Sequence, residues 1–176
     1  MSFQKFFRKT HKWVGIGSAI ILLNISVTGL LLLEKKAFDW IQPATHKGEE
    51  GVTDDFIDLQ TLMTAVFAQG HEDFQTLADI DRIDFRPSKR VHKVRSLHHL
   101  SEMQIDAVTG KVLNVGKRRS DLFESWHDGS FFGSWFYLLL MPVAAIALIF
   151  LTISGLYLWL APLLKKKARS KTQQSA

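Results

Sequence analysis

Two long apolar runs bracket this chain. Val14 to Leu33 carries no charge over 20 residues, and a second uncharged run from about Trp135 reaches Leu164 before Lys165-Lys166-Lys167 ends it. At about 1.5 Å of rise per residue, a helix of about 20 residues crosses a hydrocarbon core of about 30 Å, so each run predicts a membrane span. Neither run keeps the polar face of an ordinary globular helix. Between them the pattern shortens. Asp54 to Ala68 places Phe56, Leu59, Leu62, Met63, Val66 and Phe67 at helical spacing, with Asp54 or Thr53 as the cap and Gly70 as the stop. Ile80 to Arg86 alternates with period two and ends at Pro87. Val91 to Leu97 and Ser101 to Val108 alternate again, and Lys111-Val112-Leu113 continues the last strand. One helix followed by three or four antiparallel strands, with turns at Pro87-Ser88 and Thr109-Gly110, gives an α+β membrane protein in which two transmembrane α-helices flank a small domain. A unit of about 60 residues is near the lower limit of independent stability, so packing against the spans or a second copy is expected.

Charge sets the expected topology. All 17 acidic residues lie between Glu34 and Asp128, where 13 Lys and Arg leave a net −4; the tails hold the other nine cations and no acid. Lys and Arg beside spans stay cytoplasmic. The expected layout is therefore a basic cytoplasmic tail over 1–12, a span over 13–33, an extracytoplasmic domain over 34–134, a span over 135–164 and a second cytoplasmic basic tail over 165–176. A basic start before an apolar run is also the signature of a cleaved signal peptide. The run is long for that, and no small-x-small site precedes Glu34, so it reads as an uncleaved anchor. The net charge of +5 follows from this topology and gives no nucleic-acid footprint. The expected partners are the lipid bilayer and a second copy or a larger membrane complex. Cysteine is absent, so the domain folds without disulfides and offers no thiolate ligand.

Small and polar residues within the spans predict close helix contact. Gly15 and Ala19 lie four apart on one face, and Gly29, Ser154 and Gly155 are further small positions. Asn24 is the sole amide deep in either span, read as an interhelical hydrogen bond, with a ligand or ion pathway as the other reading. Ile25-Ser26-Val27-Thr28-Gly29-Leu30 can be laid on Leu151-Thr152-Ile153-Ser154-Gly155-Leu156, near the outer end of one span and the inner end of the other, as in an inverted pair.

These motifs resemble a known family. Glu102 to Val112, ending in Thr109-Gly110-Lys111, resembles the last hairpin of a PepSY domain. Arg8-Lys9-Thr10-His11-Lys12-Trp13 before the first span, His127-Asp128-Gly129 with Phe132-Gly133 before the second, and Ser154-Gly155-Leu156 followed by Trp159 resemble the PepSY-associated transmembrane helix family. The resemblance implies a bacterial inner-membrane protein with a PepSY-like periplasmic domain. Larger members with four or more spans are linked to iron uptake, and among them are ferric-siderophore reductases that carry haem on histidines. A single pair of spans then implies a dimer that supplies the missing half.

A membrane haem that shuttles electrons needs two axial imidazoles. The chain has seven histidines, His11, His46, His71, His92, His98, His99 and His127, none inside a span. His11 and His127 lie at the two span entrances, roughly a bilayer thickness of about 30 Å apart, so one haem cannot bridge them within one chain. They are the candidate cofactor-binding residues, for haem b. Other readings stay open: His127 as a headgroup-level polar residue capping a helix start, and His11 as an interfacial anchor among cations. In the ligand reading Asp128 orients His127, and Gly129 and Gly133 leave room for a flat cofactor. His98 and His99 are expected to be strand neighbours on opposite faces, and His92 and His98 to be solvated. No nucleophile elbow, phosphate loop, His-Glu-x-x-His or nucleotide fingerprint is present. Two functions follow: a haem-binding electron-transfer or ferric-reductase-type subunit linked to iron handling, or a non-catalytic anchored module that recognises a periplasmic partner.

Overall fold

The computed structural model describes the backbone of residues 3–174 and the side chains up to Lys165. The elements in chain order are α1 (Phe3–Leu33), α2 (Leu59–Phe67), β1 (Ile80–Arg86), β2 (Val91–Ser96), β3 (Ser101–Asp106), β4 (Val112–Lys117), α3 (Ser120–His127) and α4 (Met141–Gln174). They form two compact units. One holds α1 up to Gly29 together with the chain from Ser125 onward; the other is Leu30–Glu124.

Two helical stretches, Phe3–Leu33 and Phe136–Lys165, are long and apolar enough to cross a bilayer. Their apolar surface is bare: Ile20 is 83% exposed, Leu138 68% and Ile146 67%. Such a surface is at rest only in lipid. The first helix begins ten residues before Trp13, so Lys5, Arg8, Lys9 and Lys12 ride on its first turns. The second opens with a π-helical turn over Phe136–Leu140, directly before Pro142, which brings no backbone N–H.

In the Leu30–Glu124 unit the four strands form one antiparallel sheet in sequential order. β1 covers the period-two run up to Pro87, as the alternation predicts. β2 and β3 end one and two residues before the alternation does, and Val112–Lys117 is a strand of its own. All six residues of β3 are buried, so both faces of the sheet are covered. On one face Val94, Met103 and Ile105 pack with Leu62 and Val66 of α2 and with Phe74, each such side chain contributing roughly 1.5–3 kcal/mol. The helix starts later than the apolar spacing suggests. The Ile57 N–H is taken by the Ala107 carbonyl at 2.8 Å, which keeps the chain extended there. Asp58, rather than Asp54 or Thr53, caps α2 by accepting from the Thr61 N–H at 2.7 Å. That bond holds the Asp58 carboxyl below its ordinary range.

The opposite face is polar and equally covered. Lys93, Arg95, Glu102, Gln104 and Asp106 lie there, under the loop from Ile41 to Glu49. Gln104 donates to the Ala44 carbonyl at 2.9 Å and accepts from the His46 N–H at 2.9 Å. Asp106 accepts from the Glu49, Val108 and Thr109 N–H groups. Burial alone would raise the Asp106 pKa, but these donors outweigh it and hold it low. The loop approaches so closely that a Cβ on Gly48 would overlap the Arg90 carbonyl.

Candidate functional site

The first unit contains two histidine clasps built alike. His127, the last residue of α3, brings Nδ1 to 3.0 Å from the Thr28 hydroxyl. His11 of α1 brings Nδ1 to 2.7 Å from the Ser154 hydroxyl of α4. Each hydroxyl residue is followed by a glycine that lies against the ring: a Cβ on Gly29 would sit 3.1 Å from His127 Cε1, and one on Gly155 3.4 Å from His11 Cε1. Thr28 and Ser154 are both buried, at 3% and 0% exposure. The two matched segments in the spans thus do the same work at opposite ends, each receiving the histidine that precedes the other span.

The hydroxyls hold each ring by its Nδ1. Thr28 donates its single proton to the Asn24 carbonyl at 2.6 Å, which leaves a lone pair to accept from Nδ1–H of His127. Ser154 likewise faces the Leu151 carbonyl at 3.2 Å and takes Nδ1–H of His11. Each Nε2 has no hydrogen-bond partner among the described residues, and both rings are half-buried. Asn24 adds a further tie, its Nδ2 donating to the Trp126 carbonyl at 2.9 Å. Its partner is the backbone just before His127, not the second span.

His11 and Thr28 are 17 positions apart on α1, about 26 Å at 1.5 Å per residue. One chain therefore presents one free imidazole nitrogen at each end of the helix pair, and the two cannot meet. A Cβ on Gly15, in the small-residue face with Ala19, would lie 3.6 Å from Leu151 Cδ2.

Several expected details differ. Asp128 does not orient His127; its carboxylate accepts from the Ser130 N–H at 2.8 Å, and Thr28 holds the ring instead. Nor does Gly129 leave room for a cofactor. It has φ +79°, a left-handed turn, and a Cβ there would lie 2.7 Å from the Phe136 ring. His127 ends a helix and does not cap the start of one.

In the other unit, His98 and His99 are in the β2–β3 turn and not on a strand. His99 and Leu100 take left-handed φ values of 52° and 59°. His98 Nε2 meets Asp79 at 3.1 Å, and His99 Nδ1 meets Asp73 at 2.6 Å. Ser101 donates to the other Asp73 oxygen at 2.6 Å. Burial works to raise the Asp73 pKa, but Ser101 and His99 overcome it and hold it low. Glu72, Asp73 and His99 place one ligand-type atom each within 4.8 Å of one another, yet both Asp73 oxygens are already engaged in closing the turn. His92 is not solvated. It stacks on Phe85 with ring centroids 4.6 Å apart, and both of its ring nitrogens are buried without a partner.

Thr28 is the site residue that reading the sequence for histidines alone passes over. The signal that points to it is the Thr/Ser-Gly pair shared by the two spans. Among curated proteins no sequence matches this chain. The model of a family described as the PepSY-associated TM region matches residues 8–176, taking in both spans, both histidine clasps and the domain between them. This membrane protein belongs to the PepSY-associated transmembrane family.

Proposed function

We propose that this protein is a haem-binding electron-transfer subunit, of ferric-reductase type and linked to iron handling, that works as a dimer or within a larger membrane complex. The observation that carries the reading is the pair of clasps: each holds a half-buried imidazole by Nδ1 and leaves Nε2 without a hydrogen-bond partner among the described residues. A haem-ligating imidazole would bind through that nitrogen, with Nδ1 tied to fix the ring's orientation. His127 and His11 would hold the group, each at its own level in the membrane, and a second copy would contribute the opposite ligand. Thr28 and Ser154 would set ring orientation, while Gly29 and Gly155 keep side chains off the ring. Bound haem supplies one-electron redox chemistry. Support for a bacterial inner-membrane location, with both termini cytoplasmic and the Leu30–Glu124 unit in the periplasm, comes from the nine cations of the two tails, which carry no acid.

The reading of the domain as a peptide-capturing module finds less support. The outer strand β1 carries Asp81, Arg82, Asp84 and Arg86 and a register irregularity between Ile80 and Arg82. On the other outer strand, Pro43 covers Gly116. Charge, bulges and covering loops are the devices that keep sheet edges from pairing.

The test is the visible absorption spectrum of full-length protein purified in detergent from haem-replete cells. A Soret band that sharpens on reduction is expected, reduced or shifted in His127→Ala and in His11→Ala and altered in position by Thr28→Val. No Soret band in the wild type, even after haem is added, would end the proposal, as would a band indifferent to both histidine variants.

A further inference from the structure

The Leu30–Glu124 unit contains a basic cleft that plays no part in the histidine clasps. Six cations line it, Lys35, Lys36, Arg86, Lys89, Lys93 and Arg118, and no Asp or Glu reaches its wall. The rest of the lining is uncharged, around Gln42–Thr45 and Ser88, and the volume is about 650 Å³. That is within the ~300–1,000 Å³ of small-ligand sites.

Charge is not balanced there. Lys93 pairs with Glu102 at 2.9 Å, Arg118 with Asp121 at 2.6 Å and with Glu102 at 3.4 Å, and Lys35 with Glu124 at 2.8 Å. Three carboxylates thus face six cations. Lys89 spends its ammonium on the Thr45 carbonyl at 3.0 Å. Lys36 and Arg86 are exposed and have no ion pair among the described residues. The buried Gln42 Oε1 at the same wall has no partner. Turning that amide over would present an NH₂ donor in its place. Clustered like charges repel unless an anion joins them, and here the anion would find fixed donors around a partly enclosed volume.

Location narrows the ligand. Lys35 and Lys36 follow the last residue of α1, Leu33, by two and three positions. At no more than about 3.5 Å per residue, Lys35 lies within about 7 Å of the end of a membrane-crossing helix, the depth at which lipid phosphates are found. We propose that this cleft binds a phosphate group, supplied by the headgroup of an acidic phospholipid. The proposal is independent of the haem reading.

The experiment uses full-length protein reconstituted in nanodiscs containing phosphatidylglycerol and phosphatidylcholine, with retained lipid counted by native mass spectrometry. Wild type should retain phosphatidylglycerol well above its share of the bilayer. Each cation near the surface contributes about fivefold, so Lys36→Gln with Arg86→Gln should lower that preference about 25-fold. Lys47→Gln with Lys111→Gln, equal in charge change but outside the cleft, should leave it intact. Neither Lys36 nor Arg86 packs in the core, and hydrogen exchange at β2 and β3 will verify the fold of the double variant. Displacement of the lipid by millimolar inorganic phosphate, sensitive to the same double substitution, would identify free phosphate as the ligand and uphold the chemistry. Equal retention of the two lipids by wild type together with no phosphate binding, or a double variant indistinguishable from wild type, overturns the proposal.

Discussion

Glu102 is the residue on which the polar face of the sheet depends. It is 0% exposed, sits opposite Arg95 in the β2–β3 register, and accepts from Lys93 at 2.9 Å, Gln104 at 3.0 Å and Arg118 at 3.4 Å. Lys93 is itself 2% exposed and has no other carboxylate partner among the described residues. Glu102→Ala therefore leaves a buried ammonium without a counter-charge, and removing one member of such a pair costs about 3–5 kcal/mol. A unit of this size has roughly 5–14 kcal/mol of stability in all. It should stay folded but open far more often. At about 1.4 kcal/mol per tenfold, the slowest amides of β2 and β3 should exchange roughly 100-fold to 4,000-fold faster.

Hydrogen–deuterium exchange on the full-length protein in detergent measures this directly. Glu50→Ala is the reference, because the Lys47–Glu50 pair spans 3.8 Å with Glu50 90% exposed and should contribute less than about 1 kcal/mol. Replacing both buried partners, Lys93→Met with Glu102→Met, should cost less than Glu102→Ala alone. Arg95 keeps Asp84 at 2.8 Å, and Arg118 keeps Asp121 at 2.6 Å. If Glu102→Ala accelerates exchange no more than Glu50→Ala does, these charges are not desolvated in the way their burial implies, and the reasoning fails.

Two further outcomes follow from particular contacts. Burial holds the His92 pKa below its ordinary value, so the unfolded chain takes up a proton near pH 6.5 while the folded one resists. His92 should therefore contribute full stability above about pH 6.5 and lose it as the pH falls toward the folded pKa; exchange rates corrected for intrinsic chemistry should show this loss setting in as the pH falls below about 6.5, and His92→Phe should remove it. Gly48→Ala drives a methyl into the Arg90 carbonyl and should cost roughly 1–3 kcal/mol, whereas Gly17→Ala, with nothing within 4 Å of its Cβ, should leave helix content and thermal melting by circular dichroism unchanged.

Much of the fold was legible because burial writes its period into the chain. Ile80 to Arg86 alternates and is a strand over those residues, and the two spans stand out by length alone. What could not be read is what depends on a partner distant in sequence. Asp58 became the cap only because Ala107 pins Ile57 upstream of it. The Ile41–Glu49 loop has no periodicity, yet it covers a whole face of the sheet through Gln104 and Asp106. His92 resembles a solvated strand residue until Phe85 is placed over it, and His98 and His99 resemble strand neighbours until their carboxylate partners on the 73–79 segment close the turn. At the clasps, the repeated Thr/Ser-Gly pair was visible and both histidines could be named. That each pair receives the histidine of the opposite span could not be derived from either segment alone.

The crosswise exchange has a mechanical consequence. Lipid offers the helices no hydrophobic reward for pairing, so contact and polar ties must set their register. Near the His11 end Phe7 packs on Phe150 and Tyr157, while between the two ends small side chains face the partner helix, as at Gly15 near Leu151 and in the apolar groove lined by Gly17, Ser18, Ala144 and Ala147. Such surfaces slide at little cost. The hydroxyl–imidazole bonds do not, because a slip of one residue moves a hydroxyl about 1.5 Å along the axis and about 100° around it, beyond reach of a ring held from the other side. A clasp at one end would still allow the far ends to splay. With His11 held by α4 at one end and His127 held by α1 at the other, both the slide and the splay break a part-buried hydrogen bond, so the two imidazoles are presented at a fixed spacing.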